Sequence, residues 1–217
     1  MEPFALWIIR LASVPPLALT VYTIFVYKRL SPELKTFALF IFLSGLIEAI
    51  SKALWFYSLN NMPLLHVYVA VGFLLLGLFY KKVLEGFIDS MVMWIVIIGF
   101  LVFTTINSLF VQTIFTFNSY ALTVESILIA IFSLSTYMLM LNDIVRKNRQ
   151  HLVKSLNWIN SGLFIYYASS LVIFFYSDLI EKAFSRIFNL QTWILHSFFS
   201  TVMYCCFFIG LWNRPRN

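Results

Sequence analysis

The chain has 217 residues, of which 61% are hydrophobic and only 11% are charged, and its mean hydropathy is +0.89. A soluble domain carries about 25% charged residues, so this composition leaves too little polar surface to cover a globule in water. The net charge of +6 does not indicate a nucleic-acid partner, because the basic residues lie in short runs between apolar segments. The composition therefore predicts an integral membrane protein, with the lipid bilayer as its solvent.

Seven apolar segments are long enough to cross a bilayer, for which about 20 mostly apolar residues are needed. In chain order they are 5–27, 36–58, 63–84, 90–111, 118–142, 155–177 and 190–212. The first is too long for the core of a signal peptide and follows Glu2 instead of basic residues, so we expect a retained helix. The sequence predicts an all-α fold in which residues 1–217 form one bundle of seven transmembrane helices.

Two consecutive prolines interrupt the first of these segments. Pro15 and Pro16 remove backbone donors in the middle of the predicted helix, and prolines at such positions kink or open a helix. We expect a bend at this point, either fixed or able to make room for a ligand.

Basic residues at the segment ends predict the orientation of the bundle. Lysines and arginines are enriched in cytoplasmic loops of membrane proteins. The connections after the first, third and fifth segments, together with the tail, hold eleven of the fifteen basic residues, whereas the opposite side holds Arg10, Lys182 and Arg186. This asymmetry predicts that the N-terminus lies outside and the C-terminus inside.

Ionisable residues occur inside segments where charge is costly. Glu48 and Lys52 are spaced i, i+4, so they share one face of the second helix. A charge at the bilayer centre costs roughly 2.5–3.5 kcal/mol, which favours an inward orientation toward other polar groups. On the predicted topology the polar residues of several helices fall in the outer half of the bilayer. The hypothesis is a ligand cavity there, with the following candidate residues: Arg10, Glu48, Lys52, His66, Asn107, Glu125 and His196.

Polar residues within a membrane also act as structural hydrogen-bonding groups between helices, in bonds worth about 0.6 kcal/mol on average. That interpretation stays open for every candidate, and Lys52 can extend toward the outer headgroups. A histidine–histidine–glutamate metal site has suitable ligand types in His66, His196 and Glu125 or Glu48, but the chain lacks a metal-binding motif. We predict no metal, no cofactor and no catalytic residues, and we favour a non-enzymatic protein.

Three short stretches resemble a group of small bacterial seven-helix membrane proteins with no assigned activity. They are NNMPLLHVY at 60–68, FYKK at 79–82 and VESILIAIFS at 124–133. The resemblance implies a bacterial inner membrane and assigns no site residues. A retinal protein is excluded, because residues 190–212 contain no lysine for a Schiff base.

The sequence thus leaves three classes of function open. The first is a receptor or sensor that binds a small or amphipathic ligand and signals to a cytoplasmic partner at 143–154. The second is a small-solute or proton-coupled transporter, in which Glu48 and Glu125 are the proton or substrate sites. The third is a structural or accessory membrane subunit.

Overall fold

A computed structural model describes residues 11–142, 150–177 and 185–215. Over these residues the chain forms seven helices and no strand, which confirms the all-α class. The helices are α1 (Val14–Val26), α2 (Pro32–Phe56), α3 (Met62–Val83), α4 (Ser90–Ile106), α5 (Ser119–Leu141), α6 (Gln150–Phe175) and α7 (Arg186–Trp212). A π-helical turn, Asn107–Val111, continues α4.

Six of the described helices, α2 to α7, are long and apolar enough to cross a membrane. Their outer faces are apolar as well, with Phe110 80% exposed and Leu141 82% exposed. A lipid environment covers such faces, which would be a liability in water. In the described part of the chain α1 has 13 residues, and residues 5–10 of the first predicted span lie outside it. The seventh span and the orientation therefore stay predictions.

Local sequence signals explain where several helices begin. The side chain of Ser31 accepts a hydrogen bond from Leu34 N at the start of α2, and Pro32 occupies the first turn. Serine at the N-cap followed by proline is a favoured helix start. The two prolines of the first segment lie in the first turn of α1, directly after a turn at residues 12–13. The interruption expected there is thus the beginning of α1.

Six helices pack into a closed ring in the order α1, α2, α3, α5, α6 and α7, with α7 returning to α1. Because α3 contacts α5 directly, α4 lies against the junction of these two helices. Gly162 on α6 and Gly210 on α7 bring the backbones of these two helices close together. A Cβ atom at Gly210 would lie 3.0 Å from the Ser155 carbonyl oxygen, and one at Gly162 would lie 3.0 Å from that of Met203. Small residues permit such close approach between membrane helices.

The two ends of the bundle differ in composition. At one end, which we call the basic end, residues 27–31, 84–89 and 213–215 follow helix termini, and Lys82 Nζ donates to Thr36 Oγ1 at 2.8 Å. Arg214 there donates to the Tyr22 hydroxyl at 2.9 Å. At the other end, which we call the cavity end, residues 57–61 meet residues 112–118, where Asn60 Nδ2 donates to the Phe115 carbonyl at 3.0 Å.

Candidate ligand-binding cavity

A cavity of about 730 Å³ lies among α1, α2, α3, α6 and α7. Its lining reaches the cavity end through Asn61, Phe117 and Asn189, and it reaches deepest into the bundle near Ser44 and Tyr204. From Asn189 to Tyr204 the lining follows α7 for about 22 Å at 1.5 Å per residue. The cavity therefore extends through much of the thickness of a bilayer, and its volume lies within the usual range for small-molecule sites.

Each wall of the cavity is one face of a helix. From α7 come Asn189, Thr192, Trp193, His196, Ser197, Ser200 and Tyr204, and from α2 come Ser44, Ile47, Glu48 and Ser51. Residues three and four apart lie on the same side of a helix. The alternation of hydroxyl, aromatic and ionisable side chains along these faces gives a mixed polar and apolar wall.

Glu48 supplies the carboxylate of the cavity. It is half-buried on α2 and lines the cavity together with Ser13, at the turn before α1. Lys52 lies one turn closer to the cavity end, and its charge acts on Glu48 through the Coulomb interaction. Lys52 is exposed and does not belong to the described lining. Although Glu48 and Lys52 share one helix face, Glu48 lines the cavity and Lys52 lies outside it.

Tyrosine and serine hydroxyls meet at the deep end of the cavity. The Ser44 hydroxyl lies 3.2 Å from the Tyr68 hydroxyl and donates to the Phe40 carbonyl at 2.9 Å. The Tyr204 side chain from α7 lies beside these two hydroxyls and lines the same cavity. These groups connect α2, α3 and α7, and they offer both donors and acceptors to a ligand.

His196 on α7 is held by two residues of α6. Its Nδ1 lies 3.1 Å from the Ser170 hydroxyl, and its Nε2 lies 3.5 Å from the Tyr166 hydroxyl. The ring also packs against Trp193, with the ring centroids 5.6 Å apart. His196 is therefore oriented on both sides while it lines the cavity.

Glu125 lies behind this wall instead of in it. The side chain is 1% exposed, and Tyr167 donates a hydrogen bond to Oε1 at 3.1 Å. The Tyr167 ring packs against Tyr166, with centroids 5.1 Å apart, and Tyr166 lines the cavity. Glu125 is thus separated from the cavity by one layer of tyrosine side chains.

His66 and Asn107 belong to a different polar network, at the cavity end between α3 and α5. The Nδ1 of His66 lies 2.7 Å from the Ser108 hydroxyl. Asn107 donates to the side-chain oxygens of Asn118 at 2.8 Å and Gln112 at 3.0 Å. These bonds hold the π-helical turn and the loop after it against α3 and α5.

Of the seven predicted site residues, the structure brings Glu48 and His196 together in the cavity. Lys52 lies beside it, Glu125 lies behind it, and His66 and Asn107 lie in the separate network. Arg10 lies outside the described residues. In the part of the chain that the structure describes, no three His, Cys, Asp or Glu side chains form a group that could hold a metal ion.

Comparison with known proteins gives no match. No protein-family model, curated protein or solved structure matches the chain. The function therefore has to be argued from the cavity itself.

Sequence reasoning missed the tyrosines of the cavity, Tyr68, Tyr166 and Tyr204. Tyrosine counts as hydrophobic in the composition, and tyrosine in a membrane segment usually indicates an interface. A periodic signal was nevertheless present on α7, where Thr192, His196, Ser200 and Tyr204 recur every fourth residue. A polar stripe with this spacing indicates a helix face that does not contact lipid.

Proposed function

We propose that the protein is a multi-pass integral membrane receptor that binds a small amphipathic ligand in the cavity among α1, α2, α3, α6 and α7. The cavity itself carries this proposal, since about 730 Å³ of space is lined by aromatic rings, hydroxyls, one carboxylate and one imidazole. Ligand sites combine a mostly apolar wall with a few well-placed polar groups. Polar side chains that only joined helices would be expected to fill such a space by bonding to one another.

The proposed orientation places the N-terminus and the cavity end outside and the basic end inside. Lys28, Arg29, Lys35, Lys81 and Lys82 at the basic end support it, because cytoplasmic ends of membrane helices are rich in such residues. With the sequence resemblance to bacterial membrane proteins, this orientation corresponds to seven spans in a bacterial inner membrane. The cavity then lies in the outer half and extends toward the middle of the bilayer.

A receptor that signals across the membrane needs a partner on its inner side. The basic run at 143–154 is the segment proposed to contact a cytoplasmic protein, and residues 143–149 of it lie outside the described residues. Support comes from its charge and from its position after α5, the helix that carries Glu125.

A proton-coupled transporter is the second candidate, and the burial of Glu125 favours it. A carboxyl group with a neutral tyrosine donor, one layer from a cavity, is a typical arrangement for a proton site within a membrane. The receptor hypothesis ranks higher because it needs only the cavity, and Glu125 is not among the residues that line it.

The cavity is tested by comparing the full chain with the variant Ser200→Trp, which fills the cavity, against a library of neutral, cationic and anionic amphiphiles. Compounds that raise the melting temperature of the wild type but not of the variant support the proposal. A library that stabilises both proteins equally contradicts it. Uptake into proteoliposomes separates the two candidates, since a transporter accumulates a stabilising compound and a receptor does not.

Orientation is tested on intact cells with single cysteines in a background without Cys205 and Cys206. A membrane-impermeant maleimide is expected to label Thr113→Cys, at the cavity end, and to spare Phe87→Cys, at the basic end. Both positions are exposed. The reverse labelling pattern would contradict the proposed topology.

A further inference from the structure

The lining of the cavity has one carboxylate and, among the residues that the structure describes, no lysine or arginine. Glu48 is that carboxylate. Its nearest cationic neighbour on the same helix, Lys52, is exposed and lies outside the described lining. A carboxylate at this depth is costly unless an opposite charge is close. Lys52 acts on Glu48 from outside the lining, so inside the cavity the carboxylate remains available for a positively charged ligand to complement.

Aromatic rings line the cavity at both ends. Tyr204 and Tyr68 lie at the deep end. Trp193 and Phe117 lie toward the cavity end, with their ring centroids 5.5 Å apart. The faces of tyrosine and tryptophan rings attract cations, and quaternary ammonium groups bind where such rings line a site.

We infer that the ligand is an organic cation with an apolar tail, in which an ammonium group lies beside Glu48, Tyr68 and Tyr204 and the tail lies along Trp193 and Phe117. This inference rests on the proposed function, because it specifies the ligand class of the same cavity. The hydroxyls of Ser44 and Ser51 on α2 give a primary or secondary amine additional acceptors, whereas a quaternary group depends on the rings and on Glu48.

Three compounds with the same phenylbutyl tail test the charge requirement. The first is (4-phenylbutyl)trimethylammonium, the second is its carbon isostere with a tert-butyl group in place of trimethylammonium, and the third is the corresponding sulfonate. Binding is measured on the full chain in nanodiscs of zwitterionic lipid, with radiolabelled cation, competition by the other two compounds and subtraction of empty nanodiscs. Saturable binding of the cation is expected, with the isostere and the sulfonate weaker by about tenfold or more.

Variants of the chain then test whether Glu48 provides the negative charge that binds the cation. Glu48→Gln is expected to weaken binding of the cation by about tenfold or more, and Glu48→Asp is expected to keep it. Lys52→Gln is expected to leave binding unchanged or to strengthen it, because the competing positive charge is removed. Glu85→Gln, which removes an exposed carboxylate at the basic end, is the matched control and is expected to bind as the wild type does.

The inference is overturned if the isostere or the sulfonate binds as tightly as the cation, or if Glu48→Gln binds the cation as tightly as the wild type. It is also overturned if none of the three compounds binds. If Ser200→Trp abolishes binding of a neutral or anionic compound, the proposed cavity function survives and only the charge of the ligand is wrong. Should Glu48→Gln fail to fold, Ser200→Trp and the comparison of the three compounds on the wild type still decide the result.

Discussion

The hydroxyl of Tyr167 on α6 donates a 3.1 Å hydrogen bond to the carboxyl group of Glu125 on α5, and both side chains are at least 97% buried. Each is the other's hydrogen-bonding partner across the α5–α6 interface. The pair lies directly behind Tyr166, a residue of the cavity wall. A structural change at Glu125 can therefore reach the cavity through Tyr167 and Tyr166, which are neighbours on α6.

Replacing Tyr167 with Phe is expected to lower the free energy of unfolding by about 1–3 kcal/mol, because it removes the donor to a buried acceptor. Glu125→Gln is expected to cost less, since its amide oxygen still accepts the bond. Denaturation in detergent measures both. Tyr176→Phe, at an exposed tyrosine, is the control. A Tyr167→Phe variant as stable as the wild type would show that the bond contributes nothing.

The two intramembrane histidines are expected to respond differently to substitution. His196→Phe is expected to weaken binding of (4-phenylbutyl)trimethylammonium, because His196 lines the cavity. His66→Phe is expected to lower the melting temperature and leave binding unchanged, because His66 holds Ser108 and the Thr116 carbonyl at the cavity end. Thermal denaturation and radioligand binding on the same preparations measure both effects. Equal loss of binding in the two variants would contradict the separation of the two sites.

Enlarging Gly210 to alanine is expected to destabilise the fold by about 1–3 kcal/mol, the usual cost of overpacking. An added Cβ would lie 2.7 Å from Ile159 and 3.0 Å from a backbone oxygen. Gly99→Ala is the matched control, because an added Cβ on α4 meets nothing within 4 Å, and there the higher helix propensity of alanine is expected to stabilise slightly. Melting temperatures compare the two. A Gly210→Ala variant as stable as the wild type would mean that α6 and α7 separate easily at this point.

Tyr80→Phe is expected to cost about 1 kcal/mol of stability without changing ligand binding. The Tyr80 hydroxyl lies 2.8 Å from the Ser133 hydroxyl and donates to Asn160 Oδ1 at 3.0 Å. All three are buried and connect α3, α5 and α6 away from the cavity. The exposed Tyr120 provides the control substitution. A loss of ligand binding in Tyr80→Phe with unchanged stability would show that this cluster is coupled to the cavity.

Composition and segment length predicted the helical class and the positions of the apolar helices, because hydrophobic runs of this length have few alternatives in a bilayer. Helix ends were harder to predict. The helix predicted at 36–58 begins at Pro32 and ends at Phe56, since Ser31 caps it and charged residues at its start are tolerated at a membrane surface.

Only site residues with ionisable side chains in an apolar segment could be predicted from the sequence. Glu48 and His196 stand out in apolar sequence, and both line the cavity. His66 and Asn107 stand out equally, but their depth alone could not distinguish a cavity wall from a loop network at the same end. That assignment depends on which helices are neighbours, and a single sequence does not contain the order of helices in a ring.

The close packing of Gly162 against Met203 and of Gly210 against Ser155 joins α6 and α7 into one unit, because neither backbone can slide past the other without a clash. Any widening or narrowing of the binding space must then come from α1, α2 and α3 moving relative to that unit. The carboxylate of Glu48 lies on the movable side and the imidazole of His196 on the fixed side. A ligand that touches both residues would set the distance between the two halves of the bundle.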